Sequence, residues 1–453
     1  MIQSINPYSN EIIAEFQETL SNDVESILDI SRKTFEQERG RSYTYRMDLL
    51  KNCAKLLREN TMEYARIITL EMGKVIKESV QEVEKCAWVC DYYAENGEKF
   101  LADQKIKLSK GKGLLTYQPL GVVLGIMPWN FPFWQVFRFA IPTIMAGNTV
   151  ILKHASNVPH CSIKIQEIFE EAGFPKGTFQ SVLLSSSAIK NLIEDNRIKG
   201  VSLTGSEGAG SKVGELAGKN IKKMVLELGG SDPFLVLPSA DVIQAAQTAS
   251  KARMLNCGQS CIAAKRFIIH ESVSKLFLNH FRDEMNNLVF GNPLNENSDF
   301  ASLANQQQQE TISKQVEESI TKGAEMFWFN VEVKNHGAFF NPMILTDITQ
   351  DMPAYTDELF GPVASVFVVK SVEEAIRTAN DTNFGLGASI WSEDKQEALT
   401  VAKEIETGIV YINDLVASRP ELPFGGVKKS GVGRELSDLG IKEFTNAKAI
   451  WMP

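Results

Sequence analysis

The chain has 453 residues, 43% hydrophobic and 23% charged, with a formal net charge of −9. That length exceeds a single hydrophobic core and calls for two or three domains, while the acidic balance argues against nucleic acid or an anionic membrane as the main partner. No run of about 18 apolar residues is present to span a bilayer, and MIQSINPYSNEII lacks the regions of a signal peptide, so a cytoplasmic protein is expected.

Residues 22 to 102 read as helices, because Asp23–Gln37 and Ser42–Gly97 carry apolar positions at three- and four-residue steps. Within them Cys86 and Cys90 sit one turn apart and read as buried packing thiols. IKLSKGKGLLTYQPL (106–120) then suggests a hairpin around its Gly-Lys-Gly turn. From Gly121 strands and helices alternate. GVVLGIMPW is a strand, FWQVFRFAIPTIMAG a helix, NTVILKHAS a strand and PHCSIKIQEIFEEAG a helix. SVLLSS, a helix at 187–195, the strand GVSLTGS, the helix GAGSKVGELAGK and the strand KKMVLELGG follow. This alternation implies a doubly wound parallel sheet. A second α/β series has a helix at 241–256, the strand KRFIIH and a helix at 272–287. Further strands are expected at MFWFN, SVFVVK, ASIW and GIVYIN, with helices at 305–322, 372–380 and 394–406. KEFTNAKAIWMP reads as an extended tail in need of a partner surface.

The chemistry-bearing residues are ambiguous one at a time. The five histidines show no zinc spacing, so no metal is expected. GSEGAGSKVG (205–214) follows a strand and opens a helix, so its backbone N–H groups could hold a pyrophosphate, although glycine-rich turns of this kind are common. Lys153 ends a strand, where a doubly wound sheet binds ligands, yet such a lysine is often merely solvated. NCGQSCIAA (256–264) places Cys257 and Cys261 four apart, which fits packing thiols, a disulfide or a nucleophile with a neighbour.

Taken together, MPWNFPFW (127–134), TVILKHAS (149–156), TGSEGAG (204–210), LELGGSDP (226–233), GQSC (258–261), ELFGPV (358–363) and PFGGVKKSGVGRE (423–435) resemble the aldehyde dehydrogenase superfamily in order and spacing, over nearly the whole chain. The resemblance makes Cys261 the thiol that adds to an aldehyde, giving a thiohemiacetal that yields hydride to a nicotinamide and becomes a thioester. It makes Glu227 the general base and Asn130 an oxyanion donor, though Asn130 could also cap the helix after Pro132. For the dinucleotide it implies Trp129 on the approach to the nicotinamide, Lys153 at the adenosine ribose, Gly205 and Ser206 at the pyrophosphate, Leu228 against the nicotinamide, and Glu358 and Phe360 at its ribose. Ser156 stands where NAD-preferring members commonly have Glu. With Lys153 and His154 near, it points to NADP, with NAD as the alternative.

Arg138 lies eight residues after Asn130, where succinate-semialdehyde dehydrogenases carry an Arg for the substrate carboxylate. Ser418 and Arg419 could add contacts, while Leu255 stands where a second Arg is often found. Pairing with an acid is the other reading of Arg138. The expected activity is NAD(P)-dependent oxidation of an aldehyde, foremost succinate semialdehyde. A broad-specificity enzyme and a non-catalytic protein on the same fold are the alternatives, and the presence of Glu227 argues against a CoA-acylating member. The implied architecture is a cofactor domain (1–104 and 120–226), a catalytic domain (227–415), and an oligomerisation hairpin and tail (105–119 and 436–453). The tail should pair with another subunit's hairpin in a homodimer or homotetramer. Cys257 could form a reversible disulfide with Cys261.

Overall fold

A computed structural model describes residues 1–329 and 337–453. Asn330, at the end of the expected strand MFWFN, and His336 lie outside the described residues. The first α/β series forms a sheet with five parallel strands in the order Lys223–Glu227, Ile198–Thr204, Val122–Met127, Thr149–His154 and Phe179–Val182. Gly431–Val432 adds an antiparallel edge beside Lys223–Glu227. Both faces are covered, as a parallel sheet requires. Val123, Val150 and Leu152 pack into a core with the helices Tyr43–Glu59, Ile76–Leu101 and Trp134–Met145, while Leu124 and Ile151 face Leu28, Val201 and Val213 on the other side.

The second series gives a seven-stranded sheet in the order Glu325–Trp328, Met343–Thr346, Val363–Val369, Arg266–His270, Pro233–Val236, Gly387–Trp391 and Ile409–Ile412, parallel except at its first pair. The doubly wound α/β expectation therefore holds. Pro233–Val236 and Met343–Thr346 are further strands, too short to show a period in the sequence. The hairpin Ile2–Ile5 with Ile12–Phe16 and the helix Ser437–Glu443 are likewise not expected from the sequence. The strand expected at SVLLSS instead runs Phe179–Val182.

The helical run from Ser42 to Gly97 breaks into Tyr43–Glu59, Thr61–Met72 and Ile76–Leu101. The first break falls at Asn60 (φ −117°, ψ 22°), and Gly73 (φ 87°) ends the second helix in a left-handed cap that glycine adopts without strain. Cys86 and Cys90 are fully buried on the third helix.

The tail differs most from expectation. Thr445–Met452 pairs antiparallel with Lys112–Pro119 of its own chain, from Thr445 opposite Pro119 to Met452 opposite Lys112, and Gln104–Lys107 completes the sheet. The helix Ser437–Glu443 delivers the tail to that position. Phe444 then packs edge-on against Phe139 (5.9 Å), and Asn148 Nδ2 donates to the Phe444 carbonyl (3.0 Å). Ile106, Leu108, Ile450, Trp451 and Met452 are left exposed.

Candidate active site

Cys261 sits where two cavities meet. The larger, about 230 Å³, is lined by Trp129, Asn130, Gly205, Ser206, Leu228, Glu358 and Phe360 together with Gln135, Thr204 and Gln308. The smaller, about 80 Å³, is lined by Lys85, Trp134, Arg138, Leu255, Leu415, Ser418 and Phe424. Cys261 and Gln135 face both.

The backbone before the thiol is bent. Asn256 (φ 54°) and Cys257 (φ 53°) are left-handed, a conformation that costs non-glycine residues about 1–2 kcal/mol each. The bend is held from outside. Glu78 accepts the Asn256 N–H (3.1 and 3.2 Å), and Asn256 Nδ2 donates to the carbonyls of Asn130 (2.8 Å) and Gln259 (3.0 Å). Burial pushes the Glu78 carboxyl up to about 7. Gly258 (φ +74°) lies so close to Gly361 and Arg253 that a side chain would not fit. Beyond the thiol, buried Lys265 donates to the carbonyls of Ser260 (2.8 Å), Cys261 (2.9 Å) and Ala263 (3.2 Å), and pairs with Glu358 (3.2 Å).

This loop answers the question of the two cysteines. Cys257 Sγ donates weakly to the Ala301 carbonyl (3.6 Å) and packs in the core of the second sheet, whereas Cys261 packs beside the first core and faces the cavities. Both thiols are free. The four-residue spacing is not a helical turn, so it does not turn the two thiols to one face.

Asn130 is fixed by Gln135, whose Nε2 donates to Asn130 Oδ1 (3.0 Å). Asn130 Nδ2 gives one hydrogen to the Gln259 carbonyl (3.1 Å), leaving the second uncommitted among the described residues. It does not cap the following helix. Glu82 does so, accepting the N–H groups of Phe133 (2.8 Å) and Trp134 (3.0 Å).

Glu227, at the end of Lys223–Glu227, is not brought into either cavity. It is 2% exposed beside Gly425, and both carboxylate oxygens lack a hydrogen-bond partner among the described residues. Burial pushes its carboxyl well up, Glu435 adds to that, and Arg138 and Arg434 oppose it. The Cys261 thiol is pushed up to about 12 by removal from solvent, against the pull of Arg138 and Lys265.

Arg138 is not free for a ligand charge. It forms a buried ion pair with Glu435, donates to Thr204 Oγ1 (3.3 Å) and lies over the Phe424 ring (4.5 Å). The acid it pairs with lies in the interior rather than on the surface, and Arg138 still lines the small cavity. Ser418 is in the small cavity as expected, but Arg419 is not; its side chain is half exposed, near Glu421. Lys85, not expected at the site from the sequence, donates to Ser418 Oγ (2.9 Å), as does Trp134 Nε1 (2.9 Å).

On the dinucleotide side, Ser206 caps the helix Glu207–Lys219 through the Ala209 N–H (3.3 Å), and added Cβ atoms at Gly205 and Gly208 meet only ordinary contacts or open space. Lys153 and Ser156 lie at and just beyond the end of Thr149–His154, outside the lining of the large cavity. Lys153 pairs with no acid among the described residues, and Ser156 is exposed. Open glycine-rich backbone at a helix start, an unpaired ammonium and the absence of a carboxylate at position 156 fit a phosphorylated dinucleotide. His154 does not add a charge there. Its Nδ1 accepts from the Ala155 N–H (2.9 Å), its Nε2 donates to the Pro132 carbonyl (2.8 Å), and burial holds the ring down to about 4.

The Aldehyde dehydrogenase family model matches residues 1–450. The chain belongs to the aldehyde dehydrogenase family. It is 45% identical over 451 residues, covering 100% of this chain and 99% of the other, to a Synechocystis sp. protein named a probable succinate-semialdehyde dehydrogenase (NADP+). It is 44% identical over 455 residues to the succinate-semialdehyde dehydrogenase (NADP+) of Mycobacterium avium, covering 100% of this chain and 96% of that one. The crystal structure of succinic semialdehyde dehydrogenase from Streptococcus pyogenes in complex with NADP+ matches with a TM-score of 0.97 and 37% identity, over 100% of both chains. The site is that of an NAD(P)-dependent aldehyde-oxidising enzyme. Among the described residues no group of three or more His, Cys, Asp or Glu side chains could hold a metal, and no helix is long and apolar enough to cross a membrane.

Proposed function

We propose that this aldehyde dehydrogenase oxidises succinate semialdehyde to succinate and prefers NADP to NAD. The observation that carries the reading is the position of Cys261, between a cavity suited to a dinucleotide and a small one whose charged lining residues are two cations and no acid. A cation-lined pocket favours an aldehyde whose far end is a carboxylate, and the names of the relatives in Synechocystis sp., M. avium and S. pyogenes point the same way.

In this reading Cys261 adds to the aldehyde carbon, and the uncommitted Asn130 hydrogen and the Cys261 backbone N–H hold the oxygen as it becomes negative. Glu227, turning from its buried place beside Gly425 toward Cys261, takes the thiol proton or that of the hydrolytic water; its raised carboxyl makes it a strong acceptor once ionised. Gly205 and Ser206 hold the pyrophosphate, Lys153 the adenosine ribose, and Ser156 leaves room for a 2′-phosphate. Trp129, Leu228, Glu358 and Phe360 orient the nicotinamide end. The bound nicotinamide supplies the hydride acceptor. Arg138 keeps Glu435 in place, and Ser418 lines the substrate end.

The first sheet with its helices is assigned to the cofactor domain and the second to the catalytic domain. The exposed residues of the three-stranded sheet are assigned to contact with a second copy in a cytoplasmic homodimer or homotetramer. Steady-state rates with NADP and NAD, each on succinate semialdehyde and on butanal, test the reading. A kcat/KM advantage of about 100-fold for the carboxylated aldehyde, and a higher value with NADP, are expected. Equal values for the two aldehydes leave an enzyme of broad specificity and overturn the substrate assignment.

A further inference from the structure

The small cavity holds two cations, and their surroundings differ. Arg138 is neutralised by Glu435. Lys85, on the helix Ile76–Leu101, is paired with no acid among the described residues. Glu82, one turn earlier, is already committed, through one oxygen to Lys74 (2.7 Å) and through the other to the N–H groups of Phe133 and Trp134. The Lys85 ammonium donates to Ser418 Oγ and stands 4.3 Å from the centre of the Trp134 ring. That arrangement steadies the cation without cancelling its charge.

Ser418 completes the device. Its oxygen receives hydrogens from Lys85 Nζ and Trp134 Nε1, which fills both acceptor positions. Its own hydroxyl hydrogen must then be given elsewhere, and no acceptor for it is found among the described residues. A cation without an acid and a hydroxyl hydrogen without an acceptor, joined through the Ser418 oxygen, line the cavity that also holds Cys261.

We propose that Lys85, rather than Arg138, is the charge that receives the distal carboxylate of a short ω-carboxylated aldehyde, with Ser418 donating the second hydrogen bond. This rests on the succinate-semialdehyde reading and names the residue that sets its specificity. Burial holds the Lys85 ammonium down to about 7, with Arg138 and Arg419 adding to the effect and Cys86 and Glu82 opposing it. A bound carboxylate supplies the counter-charge the site lacks.

The test compares kcat/KM for succinate semialdehyde with kcat/KM for butanal in the wild type, K85M and K85R, and measures inhibition by succinate against the aldehyde. The ratio is expected to fall at least about tenfold in K85M, mostly through KM for the semialdehyde, with a parallel rise in the succinate Ki. K85R should recover part of both. If K85M does not fold, K85Q, which keeps a donor to Ser418 without the charge, is expected to show the same fall. A wild-type preference that survives in K85M or K85Q overturns the Lys85 assignment alone. A wild type without preference overturns the substrate reading and the Lys85 assignment with it.

Discussion

Titrating the free enzyme tests the state of its nucleophile. Cys261 faces cavities rather than bulk water, and the loss of solvation pushes its thiol up to about 12, in spite of Arg138 and Lys265. An ordinary thiol at about 8.5 is roughly one quarter ionised at pH 8, while one at 12 is ionised in about one molecule in 10,000. The thiolate population is therefore lower by about 3.5 powers of ten. A more basic thiolate is also a better nucleophile, with a Brønsted slope of about 0.4–0.5, which returns about 1.6 powers. Alkylation of Cys261 by iodoacetamide at pH 8 should thus be about 100-fold slower than that of an exposed cysteine. Its rate should climb close to tenfold per pH unit from pH 7 to 10. The sign follows from burial, which disfavours the charged form, so the reactive species appears only as pH rises toward the shifted value. The assay is the pseudo-first-order alkylation rate of the apoenzyme, read as loss of activity and located by peptide mass. A plateau at or below pH 8 refutes the reasoning, since it means that a base already takes the proton in the free enzyme and that Glu227 is not set back as described.

Asn130→Ala should lower kcat/KM about 100–1000-fold, as loss of one oxyanion donor does, with the same loss on succinate semialdehyde and butanal; a loss confined to one substrate refutes an oxyanion role. Ser156→Glu should lower kcat/KM for NADP at least about tenfold while sparing NAD, because a carboxylate there repels a 2′-phosphate; an unchanged ratio refutes the cofactor assignment. Lys74→Met removes one side of an ion pair whose side chains are 0% and 1% exposed and leaves Glu82 without its cation. A loss of about 3–5 kcal/mol in urea unfolding is expected, and one below about 1 kcal/mol refutes it.

The sequence shows the parts of this enzyme that lie at strand ends. Trp129, Asn130, Gly205, Ser206 and Leu228 each stand in or next to a turn after an apolar strand, and these turns converge on one cavity because a parallel sheet puts such ends on one side. Glu358 and Phe360 reach the same cavity from the other sheet and were legible only through the resemblance. The partners of buried charges were not legible. Arg138 reads as an anchor until the fold brings Glu435, at the end of PFGGVKKSGVGRE, against it. Lys85 in QEVEKCAWVC reads as one more charge on a solvated helix face, and only packing against Trp134 and Ser418 turns it inward. The tail shows its extended pattern, but an edge strand pairs with whichever edge is presented to it, and here the helix Ser437–Glu443 presents the chain's own hairpin.

Four unanswered groups assigned to the reaction and its ligands have a common logic. Glu227 has two buried oxygens without donors, Lys153 and Lys85 have no acid, and Ser418 has a hydrogen without an acceptor among the described residues. Each such group weakens the folded state, because buried polar groups are normally satisfied. Other buried charges of the fold are answered directly, with Lys74 on Glu82, Lys265 on Glu358 and three carbonyls, and Arg138 on Glu435. Glu227, Lys153, Lys85 and Ser418 stand where the proposed reaction brings a proton, a phosphorylated ribose or a carboxylate, so that stability withheld from the free protein becomes available when those groups bind.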